Sequence, residues 1–179
     1  MSREHWDYFL ALEEEFLATT RYVEVTSSNY STHSIAYVRI LLGACSEVEV
    51  VAKVLCSELD AGFAPAHINE YRDMLLAEYP LLPQVAAKVP RYGIDVLPWE
   101  NWTAESPAWW TKHQDIKHQR HEHYEDANLE NVLGALAGLF VLLLYLYRDV
   151  RGLESPTLFD SPALGDYLKT SGTPLPDFE

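Results

Sequence analysis

Histidines are concentrated in one short stretch of this sequence, residues 112–126. Four of the seven histidines of the chain lie there, interleaved with Lys112, Lys117 and Arg120. An imidazole can move protons near neutral pH, and a neighbouring cation stabilises negative charge that develops on a phosphoryl group. These residue types therefore point to phosphoryl chemistry or to the binding of phosphate.

The spacing of these side chains predicts that a helix presents them together. His113, Lys117 and Arg120 follow one another at i, i+4 and i+7, which is one face of an α-helix. His118 is displaced by about 100° from Lys117 around the helix axis, towards His121. We therefore expect a helical surface on which imidazoles and cations lie side by side.

Two other interpretations of this stretch remain open. Histidines three or four positions apart on a helix can bind zinc, although the interleaved cations oppose a divalent ion. The second interpretation assigns no reaction or ligand to this stretch. It is then a solvated helix whose histidines hydrogen-bond to core groups. The paired Glu-x-x-His arrangement of di-iron bundles is absent from the sequence, and we predict neither a metal nor a cofactor. The metal ligands would otherwise come from His113, His118, His121, His123, Glu122 and Asp126.

Helical periodicity predicts the elements that position this stretch. No alternation typical of a strand is sustained, so the predicted fold class is all-α. Residues 1–153 are expected to form the helical domain. Residues 154–179, rich in proline and glycine, are expected to form an irregular tail with one turn at 163–168. The predicted helices cover about 4–24, 32–59, 66–78, 83–88, 107–121 and 126–148, with caps expected at Ser31 or Thr32, at Ser106, and at Asp126 or Asn128.

Acidic residues give two expectations about these helices. Glu49 interrupts the predicted core line of the second helix between Cys45 and Ala52. A carboxylate on a buried line must be paired or protonated, and Lys53 lies at i+4 as one partner. In the first helix, the three glutamates that begin at Glu13 are expected on the face opposite the apolar stripe.

Composition restricts the partners and the compartment. The net charge of −14 disfavours broad electrostatic binding to nucleic acid and docking on anionic membranes. The apolar run at 132–147 is shorter than the roughly 18–20 residues that span a bilayer, so we predict a buried central helix with close contacts at Gly134 and Gly138. Cys45 and Cys56 lie about 16 Å apart on one helix, which is too far for a disulfide. With no signal peptide recognised, we predict a reduced, cytoplasmic protein.

The order of several short motifs resembles the HEPN superfamily of helical bundles, in particular its bacterial members of abortive-infection or toxin type. The resemblance covers roughly residues 5–150. The motifs are Arg21-Tyr22, Asn29-Tyr30-Ser31, Cys45-Ser-Glu-Val-Glu49 followed by Lys53, Trp109-Trp110, Lys117-His118-x-Arg120, and Ala127-Asn-Leu-x-Asn131.

This resemblance implies a four- to five-helix bundle that forms a homodimer. Many such domains are metal-independent endoribonucleases, in which an Arg-polar-x4-6-His motif from two subunits cuts RNA through attack by the 2′-hydroxyl. Here the sequence departs from the motif, because Lys112 and His113 stand at the Arg and polar positions. The roles implied are His118 as the catalytic histidine, Arg120 as the replacement guanidinium, His113 as the polar position, Glu49 as the orienting acid, and Lys112 and Lys117 as phosphate contacts.

Two functions follow as alternatives. The first is an RNA-cleaving or RNA-binding domain of a phage-defence or toxin–antitoxin system. The second is a non-catalytic helical module, scaffold or antitoxin-like, that binds a protein partner, and the acidic net charge favours this one.

Overall fold

The structure, a computed structural model, describes residues 2–63 and 68–160. These residues form five α-helices, which agrees broadly with the predicted all-α class, and one short hairpin of two antiparallel strands, which that class did not include. The start predicted for the third helix, at residue 66, lies outside the described residues. The elements are α1 Glu4–Thr19, α2 Ile35–Leu59, α3 Ile68–Glu78, β1 Ala87–Val89, β2 Ile94–Val96, α4 Ala108–Gln119 and α5 Leu129–Leu146.

The hairpin replaces the short helix predicted at 83–88. A 3₁₀ turn at Leu82–Gln84 is followed by β1, which pairs with β2 so that Ala87 lies opposite Val96. Ala87 and Val89 are buried while Lys88 between them is exposed, which is the alternation of a half-buried strand. Three residues are too short for that alternation to be recognised in the sequence.

The helix boundaries are set by side chains that bond to free backbone groups. Ser34 caps α2 by accepting from the Tyr37 N–H, so neither Ser31 nor Thr32 has this role. Asn128 caps α5, one of the two residues expected there. Helix α4 begins after Pro107 without a side-chain cap, and the cap expected at Ser106 is not formed.

The first helix ends at Thr19, five residues earlier than predicted. The hydroxyl of Thr19 donates to the Phe16 carbonyl at 2.6 Å, and that of Thr20 donates to the Leu17 carbonyl at 2.8 Å. These bonds satisfy carbonyl oxygens of the last turn, which have no partner within a helix that stops there.

Helix α5 is the centre of the fold, as its apolar run predicted. It packs chiefly against α2 and also against α1 and α4. Its 18 residues are long and apolar enough to cross a membrane, but 89% of them are buried inside the fold. Burial of this kind is typical of the core helix of a soluble protein.

The two cysteines of α2 are core residues, as predicted. Cys45 and Cys56 are free thiols and both are buried. Burial raises the pKa of Cys45 well above its ordinary value and that of Cys56 to about 11. Both thiols are therefore protonated at neutral pH and poor nucleophiles.

The position of α4 is fixed by an indole that lies against two glycines of α5. A Cβ on Gly134 would lie 2.8 Å from Cδ1 of Trp109, and a Cβ on Gly138 would lie 2.7 Å from its Cζ2. The Trp109 indole N–H donates to the Pro98 carbonyl at 3.0 Å, and that of Trp99 donates to the Gly138 carbonyl at 3.1 Å. The close contacts expected at these glycines are thus contacts with α4.

Glu13 is buried, which corrects the expectation that it lies on the exposed face of α1. It is 3% exposed and accepts hydrogen bonds from the backbone N–H groups of Thr157 at 2.9 Å and Leu158 at 2.8 Å. Burial raises the pKa of Glu13, and these backbone bonds oppose the increase. The Glu13 carboxylate therefore holds residues 157 and 158, at the start of the predicted tail, against α1.

The described part of the tail, residues 154–160, has no helix or strand but packs against the core. Leu158 and Phe159 are buried, and the Phe159 ring stacks on Phe140 with centroids 5.4 Å apart. Lys88 and Asp160 exchange backbone hydrogen bonds at 3.1 and 2.8 Å, which joins this segment to β1. The turn predicted at 163–168 lies outside the described residues.

We predict that Gly138→Ala destabilises the protein by about 1–3 kcal/mol, because the added methyl group overlaps the Trp109 ring. The better helix propensity of alanine, about 1 kcal/mol, offsets part of this loss. Urea unfolding followed by circular dichroism measures the difference. Gly62→Ala is the control, since a Cβ there meets only the Asp60 carboxylate at 3.4 Å. Equal stability of the two variants would contradict the contact.

We predict that Glu13→Ala lowers the free energy of unfolding by about 1–3 kcal/mol, since it leaves the backbone N–H groups of Thr157 and of the buried Leu158 without their acceptor. The neighbouring Glu14 is exposed, so Glu14→Ala is expected to change stability by no more than about 0.5 kcal/mol. Chemical denaturation of both variants at pH 7 compares them. A Glu13→Ala protein as stable as the control would show that the carboxylate does not hold the segment.

Candidate functional site

A groove of about 640 Å³ lies where the C-terminal end of α4 faces α2. One part of its surface consists of basic side chains from the His-rich stretch. The other part is apolar or aromatic. We call it the cationic groove; its lining residues are Leu42, Ile116, Lys117, His118, Arg120, His121 and Tyr124.

The cationic groove brings together His118 and Arg120, the two residues on which the sequence interpretation depends. Both are exposed, as is Lys117. No acidic side chain in the described ranges forms an ion pair with any of these three residues. Their donors are therefore available to an anion, in a chain that carries 27 acidic residues.

His121 adds a second imidazole to the cationic groove. Its Nε2 lies 3.5 Å from the Glu122 carboxylate, and both side chains are largely exposed. An exposed pair of this kind is held weakly, by about 0–1 kcal/mol. An incoming anion can therefore compete for His121.

His113 lies in the core, although the sequence placed it on one face with Lys117 and Arg120. It is 3% exposed, and its ring centroid lies 5.3 Å from that of Trp110. The pKa of His113 is lowered to about 4, first by burial and then by the charges of Lys117 and His118. At neutral pH this imidazole is uncharged, and it belongs to the packing face of α4.

Lys112 is engaged in the fold and lies away from the cationic groove. Its Nζ is 3.1 Å from the Asp126 carboxylate and 4.0 Å from that of Asp115. His123 lies against the same Asp126 oxygen, at 3.2 Å. The structure therefore does not bring Lys112 together with His118 and Arg120.

Among the described residues, this cluster also contains a group of side chains whose spacing could hold a metal ion. Ligand atoms of Asp115, His123 and Asp126 lie within 4.8 Å of one another. The Lys112 ammonium already pairs with both carboxylates, so a divalent ion would meet a positive charge. Of the metal ligands weighed from the sequence, only His123 and Asp126 belong to this group.

Glu49 is exposed, which corrects its expected place on the core line of α2. The buried line steps through Cys45, Val48 and Ala52, and Glu49 follows Val48 on the solvent side. Its charge acts on Tyr71, where burial and then Glu49 raise the pKa of the phenol. Neither a hydrogen bond nor an ion pair between described residues joins Glu49 to His118 or Arg120. Lys53 is also exposed.

A second cavity, of about 680 Å³, lies at the N-terminal ends of α4 and α5 and has the opposite charge. The carboxylates of Asp95, Glu100, Glu105 and Glu130 line it, together with Lys112. A phosphate group would be repelled there, so charge, and not volume, distinguishes the two cavities as phosphate sites.

Two residues of the cationic groove were not singled out from the sequence. Leu42 of α2 is half-buried and contributes apolar surface to the groove. Tyr124 directly follows His123 in the sequence, and this position is the feature from which its place in the groove could have been predicted.

Comparison with family models, with curated proteins and with solved structures finds no match to this chain. The side chains of the two cavities therefore carry the functional interpretation.

We predict that stability falls as the pH drops from about 6.5 towards 4, because His113 has its pKa lowered from 6.5 to about 4 in the folded state. Over that interval the unfolded chain binds a proton at this position and the folded chain does not, so acid favours unfolding. The full loss is about 3–4 kcal/mol, from ~1.4 kcal/mol per pKa unit.

Denaturant unfolding at several pH values measures this slope in the wild type and in two variants. His113→Gln is expected to flatten the slope, and His121→Gln, at an exposed position, is expected to retain it. If His113→Gln keeps the wild-type slope, His113 is not the group that titrates.

Proposed function

We propose that this protein is an RNA-binding protein of HEPN type that cleaves RNA without a metal in the cationic groove. The observation that carries the proposal is that His118 and Arg120 line one groove with Lys117. A guanidinium can bind two phosphate oxygens at once, and an exposed imidazole can exchange a proton.

In the proposed reaction, Arg120 and Lys117 bind the non-bridging oxygens of one phosphodiester. His118 accepts the proton of the adjacent 2′-hydroxyl, and the 2′-oxygen attacks the phosphorus. The bond from phosphorus to the 5′-oxygen breaks, and His121 in its protonated form donates a proton to that leaving oxygen. The products are a 2′,3′-cyclic phosphate and a 5′-hydroxyl, and the two cations offset the charge that develops on phosphorus.

The other residues implied by the resemblance have a smaller part in this proposal. His113 is a packing residue and Lys112 is paired with Asp126. Glu49 is exposed, and no ion pair between described residues joins it to His118 or Arg120. Lys117 and Arg120 therefore provide the phosphate contacts, and no orienting acid is required.

The resemblance extends the proposal to a cytoplasmic homodimer that acts in phage defence or in a toxin–antitoxin pair. Two buried free thiols and a buried apolar helix support a reducing, aqueous compartment. A dimer that joins two cationic grooves would double the number of phosphate contacts.

A non-catalytic interaction module is the second candidate, and a specific observation favours it. Lys112 and His113 stand at the Arg and polar positions of the motif, and both are engaged in the fold. A protein with a net charge of −14 would then bind a basic protein partner through its acidic surface.

We predict that the purified protein cleaves single-stranded RNA in the presence of EDTA, leaving 2′,3′-cyclic phosphate ends. Removal of the acid–base group in His118→Ala is expected to slow cleavage about 100-fold or more. Arg120→Ala is expected to weaken binding and cleavage together. Arg91→Ala removes a guanidinium outside the groove and is the control. Gel analysis of end-labelled RNA measures the rates.

RNA that stays intact at high protein concentration would exclude the nuclease. If the wild type binds RNA without cutting it and Arg120→Ala no longer binds it, the protein binds RNA in the groove but is not a nuclease. Failure to bind RNA at all, together with a stable complex with a protein partner, would select the second candidate.

A further inference from the structure

The cationic groove has an aromatic side as well as a basic one. Tyr124 lines it next to Arg120 and His121, and the ring is half-buried. A nucleotide likewise has two parts, a charged phosphate and a flat base. Lys117, His118 and Arg120 suit the phosphate but not the base, so the aromatic side of the groove needs a role of its own.

The backbone at Tyr124 is part of a short hydrogen-bonded turn. It begins the 3₁₀ turn Tyr124–Asp126, in which the Ala127 N–H donates to the Tyr124 carbonyl at 3.2 Å. The Asn131 side chain donates to the Asp126 carbonyl at 2.9 Å. The turn is thereby tied to the first turn of α5, the most buried helix of the fold.

A second attachment joins the same region to the chain before α2. The Leu129 N–H donates to the Thr32 carbonyl at 2.9 Å, and the Ser34 N–H donates to the Ala127 carbonyl at 3.4 Å. His33, between these two residues, has its ring perpendicular to Tyr124, with centroids 5.6 Å apart. The phenol ring is therefore positioned before any ligand arrives, which lowers the entropy cost of binding against it.

The dimensions and the apolar floor of the groove also suit a nucleotide. Its volume of about 640 Å³ lies in the range of about 300–1,000 Å³ of small-molecule sites. Leu42 supplies half-buried apolar surface from α2 that a base can cover. The basic residues and the aromatic and apolar residues thus line the same groove.

We infer that the cationic groove takes single-stranded RNA, with one base stacked on Tyr124 and the adjacent phosphate bound by Lys117 and Arg120. A duplex cannot make this contact, because its bases are already stacked and paired. Stacking on an aromatic ring accepts every base, so the preference is for strandedness and not for a particular sequence. This inference rests on the proposed function and specifies its substrate class.

The test uses fluorescein-labelled oligoadenylate and a duplex of equal length, with the full-length protein in the His118→Ala background so that RNA stays intact. Fluorescence anisotropy gives the dissociation constants. Tyr124→Leu is expected to weaken single-strand binding about 5- to 100-fold, and Tyr124→Phe is expected to bind like the parent protein. Tyr22→Leu, at a tyrosine that is 88% exposed and outside the groove, is the matched control.

Two further measurements separate stacking from loss of the fold or of phosphate binding. Inorganic tripolyphosphate is expected to compete for the groove equally well in the parent protein and in Tyr124→Leu. The parent protein is expected to bind the single strand at least about 5-fold more tightly than the duplex. A Tyr124→Leu protein that does not fold leaves this second comparison as the deciding one.

The outcomes distinguish the two proposals. If the parent protein binds neither RNA, the proposed function fails, and this inference fails with it. If the single strand is bound but Tyr124→Leu binds it equally, or if the duplex binds as tightly, the RNA-binding proposal stands and the stacking assignment is overturned.

Discussion

The contact of the Trp109 indole with Gly134 and Gly138 is the constraint from which the arrangement of the candidate site follows. It brings α4 against α5 at a distance that no larger residue at the two glycines would permit. The same indole is hydrogen-bonded to the Pro98 carbonyl, so the chain before α4 is fixed together with the helix. With one end of α4 held in this way, the basic side chains at its other end have a defined position relative to α2.

The two cavities lined by α4 have opposite charge. The cavity beside Trp109 is lined by four carboxylates, whereas the groove at the far end of α4 is lined by Lys117, His118, Arg120 and His121. The local basic charge can therefore act on an anion despite the acidic total.

Local patterns in the sequence located the long helices but not the hairpin, and not every buried group. Periodicity located α1, α2, α4 and α5, and the small residues of α5 indicated close contacts. The burial of Glu13 was not predictable, because its hydrogen-bond donors are backbone groups of Thr157 and Leu158, 144 and 145 positions further along the chain. Glu49 was assigned to the core because the predicted line took a four-residue step from Cys45, whereas the actual line takes a three-residue step to Val48.

The histidines show the same limit within a single helix. Spacing alone grouped His113 with Lys117 and Arg120, but the two tryptophans that precede it turn its face towards the core. The same side chain therefore has different roles at different positions. His113 is uncharged and packs in the core, whereas His118 and His121 are exposed to solvent. The association of His118 with Arg120 followed from the resemblance and not from spacing, because positions two apart on a helix do not face each other.

The attachment of the turn before α5 to residues 32–34 has a consequence for how the site and the fold depend on one another. Backbone hydrogen bonds there join parts of the chain that are nearly 100 residues apart, and α2 supplies the floor of the same groove. The groove therefore forms only when distant segments have already assembled. Whatever anion occupies it binds the folded chain alone, so occupancy and global stability are thermodynamically linked, and a ligand would raise the melting temperature of the entire domain.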